Sequence, residues 1–483
     1  MVRVVIVGAG FTGTQLARYL VQEKHNVSII ESNEEKARHA SNRLDCLVLH
    51  DEGNHLNALE EAGISQADAL VCVTESDEVN MLICGLAASR YQELIKIARV
   101  RNVDYIKMNT PEERAGPGDT TFLGIDRFVH PDVETAQAVL SALSHGAQGS
   151  ILRFPGTPYE LGSVSIEKDS PLDGLSLSDF HSFVGREGLI PLVERGQECF
   201  LPSGSTVLGP GDLIHIMVRD QDMDQVYRLA GRSEGPIRHI GIVGGDRLAT
   251  LIAEGLLSTQ RDEPKKGGLS SFFKSFKYKS NRRIVIIEQN YNACKNLAAR
   301  FPEALVLNED ISDENFVAEE RIGELDLIIT ATNNQELNIV AATYLKSRGV
   351  KRAIALVSGP GHKRIALQLG VDVAIPMTSV VVDSILSHLM GKGISNIHSM
   401  GDGSVGTLEV EISENSPAVD KNISVFKLSA GGLILLVNRG TSSFIPQGDY
   451  VFQAADKVIL IAKTGSDGEI EKFFNPPEKG SPP

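Results

Sequence analysis

The strongest constraint on this chain is that it contains itself twice. Asp326-Leu327-Ile328-Ile329-Thr330-Ala331-Thr332-Asn333-Asn334-Gln335-Glu336-Leu337-Asn338 aligns without a gap on Asp68 to Asn80, 258 positions earlier. Gly188 to Asp212 aligns in the same way on Gly432 to Asp456, 244 positions later, pairing Arg195 with Arg439, Pro202 with Pro446 and Asp212 with Asp456. Ile240-Gly241-Ile242-Val243-Gly244 repeats the opening strand, with Gly244 standing 236 positions after Gly8, whereas Glu288 stands 257 after Glu31. That growth in offset locates an insertion between the first helix and second strand of the second half. A repeat on this scale fixes the organisation before any element is assigned: a two-part unit used twice, N1-C1-N2-C2. The 483 residues also exceed the roughly 250 to 300 at which a single core stops growing.

The first part of the unit alternates strand and helix. Val4 to Val7, Val27 to Ile30, Cys46 to Leu49, Asp68 to Val73 and Lys96 to Val100 read as strands. Between them lie helical patterns such as Gln15 to Leu20, Leu56 to Ala62 and Val79 to Tyr91. Such alternation predicts a parallel, doubly wound sheet with ligands at the carboxyl ends of its strands. Helical spacing over Val133 to Leu143, repeated at Val380 to Met390, predicts a connecting helix in each half. Short alternating strands follow, at Gly162 to Ile166, Leu189 to Val193 and Asp212 to Met217, punctuated by glycine and proline. The expected class is α/β: two Rossmann-like doubly wound parallel-sheet domains, each followed by a small α+β domain. The expected boundaries are 1–148 for the first Rossmann-like domain with its connecting helix, 149–233, 234–398 with an insertion at 261–283, 399–475, and a tail of disordered composition at 476–483.

Chemistry concentrates in the opening stretch. Val7-Gly8-Ala9-Gly10-Phe11-Thr12-Gly13 carries G-x-G-x-x-G out of a strand and straight into a helix, the context in which that spacing makes a dinucleotide-binding turn. Gly8 would make the turn, Gly10 would let a pyrophosphate approach the backbone, and Gly13 would let helix and strand pack closely. Glu31 ends the second strand, where this fold places the carboxylate that holds ribose hydroxyls. Asp51, Thr74-Glu75-Ser76-Asp77 and Arg99 end the next three. The candidate cofactor-binding set is therefore Gly8, Ala9, Gly10, Phe11, Thr12, Gly13, Glu31, Asp51, Thr74, Glu75, Ser76, Asp77 and Arg99. The plainer reading is a Rossmann-like domain that binds nothing.

Composition removes other classes. A net charge of -15 and a pI near 5.3 argue against a general nucleic-acid binder, which needs a basic footprint. The five cysteines form no C-x-x-C pair, so buried thiols are expected rather than disulfides or a metal site. No signal peptide is read at the start and no apolar stretch reaches the roughly 18 residues of a bilayer span.

The paired units resemble the RCK (KTN) regulators of potassium transport, and their tandem arrangement in one chain is similar to the TrkA type of that family. The resemblance runs from residue 1 to about residue 465. It rests most on Val7-Gly8-Ala9-Gly10, on Val73-Thr74-Glu75-Ser76-Asp77-Glu78-Val79-Asn80-Met81, and on Ile97-Ala98-Arg99-Val100-Arg101-Asn102. It implies a non-catalytic, nucleotide-sensing regulatory subunit in the cytoplasm, peripheral to the inner face of the cell membrane. It further implies NAD(H) as ligand with ATP or ADP as alternatives, a TrkH-like potassium transporter pore subunit as partner, and a homo-oligomer built as a dimer of dimers.

The second copy is altered where the first is most specific: Gly10 becomes Asp246, Gly13 becomes Ala249 and Arg99 becomes Leu356. A carboxylate at 246 repels a pyrophosphate, and loss of the arginine removes a bidentate phosphate donor. N1 is thus expected to bind nucleotide tightly and N2 weakly or not at all, although retention of Glu288 leaves room in N2 for an uncharged nucleoside or an AMP-like ligand. The insertion carries Lys265, Lys266, Lys274, Lys277, Lys279, Arg282 and Arg283 among Phe272, Phe273, Phe276 and Tyr278. That pattern fits an anionic membrane surface, helping association through the partner, or an acidic partner face, or else a solvated, disordered loop. An NAD-dependent oxidoreductase is the alternative function, but no set of proton donors and substrate-orienting groups accompanies the glycine loop. A pure scaffold would leave that loop unexplained.

Overall fold

Short apolar runs become strands covered on both faces: Val4, Val5, Ile6 and Val7 are all buried, as are Ala69 to Cys72 and Ala353 to Val357. The computed structural model describes residues 2–258 and 282–475, apart from 103, 106–121, 145–146, 148–150, 155–156, 185–187, 197, 232–236, 390–393, 401–404, 427–430, 441 and 465. The basic insertion, except Arg282 and Arg283, and the tail 476–483 lie outside the described residues.

The first Rossmann-like domain comprises β1 (Arg3–Val7), α1 (Phe11–Gln22), β2 (Asn26–Glu31), α2 (Glu34–Ser41), β3 (Leu47–His50), α3 (Leu56–Glu61), β4 (Ala69–Cys72), α4 (Asp77–Ala88), β5 (Ile95–Arg99) and β6 (Arg127–Val129). Its sheet is parallel in the order β3-β2-β1-β4-β5-β6. After α5 (Pro131–Ser144) come β7 (Ile151–Arg153), β8 (Tyr159–Ser165), α6 (Leu177–Val184), β9 (Leu189–Arg195), β10 (Glu198–Phe200), β11 (Leu213–Arg219) and α7 (Met223–Leu229). These strands form an antiparallel sheet, β10-β9-β11-β8-β7.

The second half repeats both layers. β12 (His239–Val243), α8 (Arg247–Ser258), β13 (Arg283–Ile287), α9 (Tyr291–Arg300), β14 (Leu305–Leu307), α10 (Glu314–Glu319), β15 (Leu327–Thr330), α11 (Gln335–Ser347), β16 (Ala353–Val357), α12 (Pro360–Gln368) and β17 (Val373–Pro376) give the order β14-β13-β12-β15-β16-β17. Following α13 (Met377–Leu389), β18 (Ile394–Met400), β19 (Val405–Glu411), β20 (Gly432–Arg439), β21 (Ser442–Phe444) and β22 (Lys457–Lys463), closed by α14 (Asp467–Phe474), give β18-β19-β22-β20-β21.

The chain divides into two compact units, but not at its midpoint. One unit holds Met1–Pro131 with Val381–Pro483, and the other holds Asp132–Val380. In the first, Val381, Val382, Ile385, Leu386 and Leu389 of α13 share a core with Val4, Ile6, Leu16, Leu20 and Ile29 of the first Rossmann domain, and with Leu408, Phe452 and Leu460 of the last domain. In the second, Val133, Ala136, Val139, Leu140 and Leu143 of α5 join Ile240, Ile242, Ile252, Leu256 and Leu356. A β-carbon on Gly255 would lie 2.4 Å from Leu140 Cδ1, so glycine is what lets α5 and α8 come this close. The expectation that residues 1–148 form one domain carrying its own connecting helix therefore differs from what is found. Each connecting helix follows one Rossmann sheet in sequence and packs on the other.

The small domains keep one device in both copies. Arg195 donates from Nε and a terminal nitrogen to the two oxygens of Asp212, at 2.8 and 2.7 Å. Arg439 does the same to Asp456, at 2.8 Å for both bonds. The same arginines also donate to the carbonyls of Val207 and Val451. The pairing of these residues in the repeat is thus a bidentate clamp that ties a loop to a buried strand start.

Candidate nucleotide site

The first Rossmann sheet brings every candidate residue to its carboxyl edge, around the point where the strand order reverses between β1 and β4. Gly8 has φ +107°, and its N–H donates to the Ile30 carbonyl at 2.8 Å, which pins the turn to the end of β2. A β-carbon on Gly13 would sit 2.0 Å from the Gly8 carbonyl oxygen, so the helix can start this close to the strand only with glycine there. Gly10 is different. Its φ of -67° is open to any residue, and a β-carbon on it would meet nothing within 4 Å. The fold itself makes no demand for glycine at 10, whereas a ligand approaching the backbone would.

Gly10 is the N-cap of α1 and supplies no side-chain cap, and no acidic residue occupies the first turn. The N–H groups at that end are consequently left for an anion. Thr14 closes the turn by donating its hydroxyl to the Ala9 carbonyl at 3.0 Å, while Phe11 stands 61% exposed at the mouth and Thr12 is half-buried. Glu31, 8% exposed, accepts from Ala9 N–H at 2.6 Å and from Asn33 N–H at 2.8 Å. Its carboxylate therefore spans the glycine loop and the turn after β2, and each oxygen keeps further acceptor capacity for a ribose hydroxyl.

Other candidates shape the rim. Asp51 accepts from Glu52 N–H at 2.6 Å and pairs with His55 Nδ1 at 2.9 Å; the His55 bond, followed by the Glu52 bond, holds its carboxyl below the usual range. Glu75 lies 3.6 Å from Lys36. Ser76 caps α4 by accepting from Val79 N–H, and Asp77 accepts from the N–H groups of Arg101 and Asn102. The Thr74 hydroxyl donates to Asn80 at 2.7 Å, and half-buried Arg99 ends β5.

Asn80, to which the sequence pattern alone assigns no role, is a structural brace of the cleft. Fully buried, it accepts from Thr74 N–H and donates to the Arg99 and Thr74 carbonyls, stitching the ends of β4 and β5 together. Asn338 repeats the pattern with Thr332 N–H and the Leu356 carbonyl. A second network has no sequence signal. Ser163 lies 3.1 Å from His215 Nδ1, whose Nε2 lies 2.7 Å from Glu194. Ser163 and His215 are direct cross-strand partners, and His215 is only 2% exposed. The arrangement is a polar network inside a sheet, and the matching ladder positions in the other small domain hold Glu409 and Ile459.

The second cleft has a different chemistry. Asp246 caps α8 by accepting from Ala249 N–H at 3.1 Å, which puts a carboxylate where the first copy leaves its helix end open. Burial is the main cause that raises the Asp246 carboxyl above its ordinary range, with Asp132 and Glu288 adding to it. Around it lies a cavity of about 440 Å³ lined by Glu288, Glu309, Asp310, Asn333 and Leu337 among others.

The family of TrkA-N domains matches residues 4–113 and 271–376, and that of TrkA-C domains matches residues 161–231 and 407–475. The chain belongs to the tandem TrkA-N/TrkA-C family. Curated members similar to it over nearly their whole length include the Trk system potassium uptake protein TrkA of Halomonas elongata, 26% identical over 98% of both chains. That of Azorhizobium caulinodans is 28% identical over 98% of both chains, and TrkA homolog 1 of Methanosarcina mazei is 27% identical over 98% of this chain and all of its own. Among solved structures, the GsuK RCK domain aligns at a TM-score of 0.53 with 15% identity, covering 98% of this chain and 94% of that one. A GsuK channel bound to NAD aligns at 0.53 with 15% identity, covering 98% and 78%. At that identity the likeness is one of fold, and the mixed α/β tandem architecture is the shared feature. Among the described residues no helix is long and apolar enough to cross a membrane.

Proposed function

We propose that this TrkA-N/TrkA-C protein is a regulatory subunit of potassium uptake that binds a nucleotide in its first Rossmann cleft and passes the occupancy of that cleft to a membrane transporter. The potassium-uptake names of its full-length relatives support that role over an oxidoreductase. One observation carries the nucleotide reading: glycine at 10 is required by nothing in the fold, yet the loop, the uncapped helix end and Glu31 are arranged around the space that glycine leaves. The set Gly8, Ala9, Gly10, Phe11, Thr12, Gly13, Glu31, Asp51, Thr74, Glu75, Ser76, Asp77 and Arg99 forms the site. Gly8 to Gly13 cradle the pyrophosphate, Glu31 takes a ribose hydroxyl and Arg99 faces a phosphate.

The ligand is NAD(H), with ATP or ADP as competitors for the same cleft; the GsuK channel bound to NAD, a neighbour in fold, supplies the ligand class to test. The protein works in the cytoplasm at the inner face of the membrane, as a homo-oligomer on a TrkH-like pore subunit, and carries out no reaction. A bound nucleotide shifts a gate only by its differential affinity for two states, so it must touch elements that move between them. Calorimetry with NADH, NAD, ATP and ADP on the full chain tests the binding, with one phosphate-bearing nucleotide per chain expected. Potassium flux through proteoliposomes holding the co-purified transporter tests the output. Two equivalent sites per chain, or flux indifferent to every nucleotide, would refute the reading.

A further inference from the structure

The second Rossmann cleft has lost what a polyphosphate needs and has kept what a nucleoside needs. Its cavity of about 440 Å³ opens at the carboxyl ends of β12, β13 and β15, beside the reversal of strand order between β12 and β15. That volume lies within the roughly 300–1,000 Å³ of small-molecule sites. Asp246, Glu288, Glu309 and Asp310 line it, and no basic side chain does among the described residues. The guanidinium of neighbouring Arg247 is directed at Asp132, 3.9 Å away.

Two details go beyond the sign of the charge. First, Asp246 Oδ1 accepts from Ala249 N–H at 3.1 Å, so the chain fills its own anion subsite with a carboxylate. Second, the glutamate at the end of the second strand is used differently in the two copies. Glu31 spends one oxygen on Ala9 N–H and the other on Asn33 N–H. Glu288 Oε1 accepts from Asn290 N–H at 2.7 Å, but its Oε2 lies against the backbone of Gly245, 2.9 Å from where a β-carbon there would stand. Glu288 lines the cavity, and a carboxylate there can accept both hydroxyls of a cis-diol. Ile287, Ile311 and Leu337 give the apolar wall that a base requires.

We propose that the second cleft binds a ribonucleoside without phosphate, with the Asp246 carboxylate standing where a phosphate would, Glu288 holding the ribose diol, and the base against Ile287, Ile311 and Leu337. The chain would then sense two forms of related compounds, one with phosphate in the first cleft and one without in the second. The proposal needs no binding in the first cleft, so the two readings fail independently.

The test uses the full chain carrying Gly10→Asp, which weakens phosphate-bearing ligands in the first cleft, and calorimetry with adenosine, guanosine, 2′,3′-dideoxyadenosine, AMP and ATP; loss of the nucleoside signal with Glu288→Gln then assigns it to the second cleft. One nucleoside is expected to bind once per chain, with affinity falling from nucleoside to AMP to ATP and at least about tenfold on removal of the diol. Glu288→Gln keeps an oxygen for Asn290 N–H, and is expected to weaken the nucleoside at least about tenfold while leaving the melting temperature near that of the parent. Asp246→Asn is expected to raise AMP affinity relative to the nucleoside. Absence of binding by either nucleoside at millimolar concentration, ATP binding as tightly as its nucleoside, or indifference to the diol would each overturn the proposal.

Discussion

Replacing Gly10 by aspartate copies into the first cleft the residue that the second copy uses at the same place. The backbone accepts it: φ is -67°, ψ is -173°, and the new β-carbon meets nothing within 4 Å. Aspartate is also a good N-cap, worth a few tenths of a kcal/mol over glycine, so the melting temperature of the ligand-free protein should hold or rise by on the order of 1 °C. Binding should move the other way. A carboxylate at about 4 Å from a phosphate charge costs roughly 1 kcal/mol at the dielectric of water and roughly 4 kcal/mol at that of a protein surface. At about 1.4 kcal/mol per decade this is a loss of about 5- to 1,000-fold in affinity for NADH or ATP. Calorimetry gives the affinity, thermal melts without ligand give the stability, and Gly10→Ala separates steric loss from charge. Affinity within about twofold of the parent, at unchanged stability, would refute the assignment of this loop to a phosphate-bearing ligand.

Other perturbations probe the supporting structure. Gly13→Ala drives a methyl into the Gly8 carbonyl and should cost about 1–3 kcal/mol, read as a lower urea midpoint at constant slope. Removing the clamp in Arg439→Ala leaves Asp456, 1% exposed, with a buried charge stripped of its main partner, a loss of about 3–5 kcal/mol by the same measurement. Burial alone would raise Asp456, but the bonds from Arg439 and Tyr450 hold it below the carboxylate range. The clamp's stabilisation is therefore full above that range and is lost as pH falls through the depressed folded value, and the arginine variant should flatten that acid limb. His25 accepts from Val2 N–H through Nδ1, and burial pushes it down to about 4, so it is neutral in the folded chain. Stability should fall as pH drops from about 6.5 towards 4, because only the unfolded chain takes up the proton. His25→Gln should remove that slope, and an unchanged slope would show that other groups carry it.

Much of the fold is legible in residue order because its signals are local. Strand runs, the glycine loop and the gapless repeat each depend on neighbours a few positions apart, and the elements form where the pattern places them. Asp246 as the intruder also follows from pairing the copies, since one side chain at one position decides the matter. What stays hidden depends on contacts far apart in sequence. Asn80 looks like an ordinary helix residue until Thr74 and Arg99 are seen to share it. Glu31 and Glu288 are the same letter at the same place, and only the turn geometry around Ala9 and Gly245 gives the first a bond to its glycine loop and sets the second against Gly245 without that bond.

The exchange of connecting helices is equally invisible in the sequence, because α5 and α13 carry similar apolar stripes and either would fit either sheet by pattern alone. It has a consequence for the isolated first half, residues 1–233. That fragment would lack Val381, Val382, Ile385, Leu386 and Leu389, which belong to the core over β1 and β2, and would expose the α5 residues that belong on the second sheet. Five buried aliphatic side chains at about 1.5–3 kcal/mol each come to roughly 7–15 kcal/mol, as large as the whole stability of a typical domain, about 5–15 kcal/mol. The fragment should therefore not persist as a folded monomer. Since α5 and α13 are repeats of each other, a second copy can lend its α5 to the vacant groove, and a homodimer is the expected folded form. Light scattering coupled to size exclusion gives the mass, and a cooperative melt whose midpoint rises with concentration would mark folding coupled to association. A monomeric fragment with a concentration-independent midpoint near that of the full chain would contradict this expectation. It would mean that the exchanged helix contributes little to the core it enters.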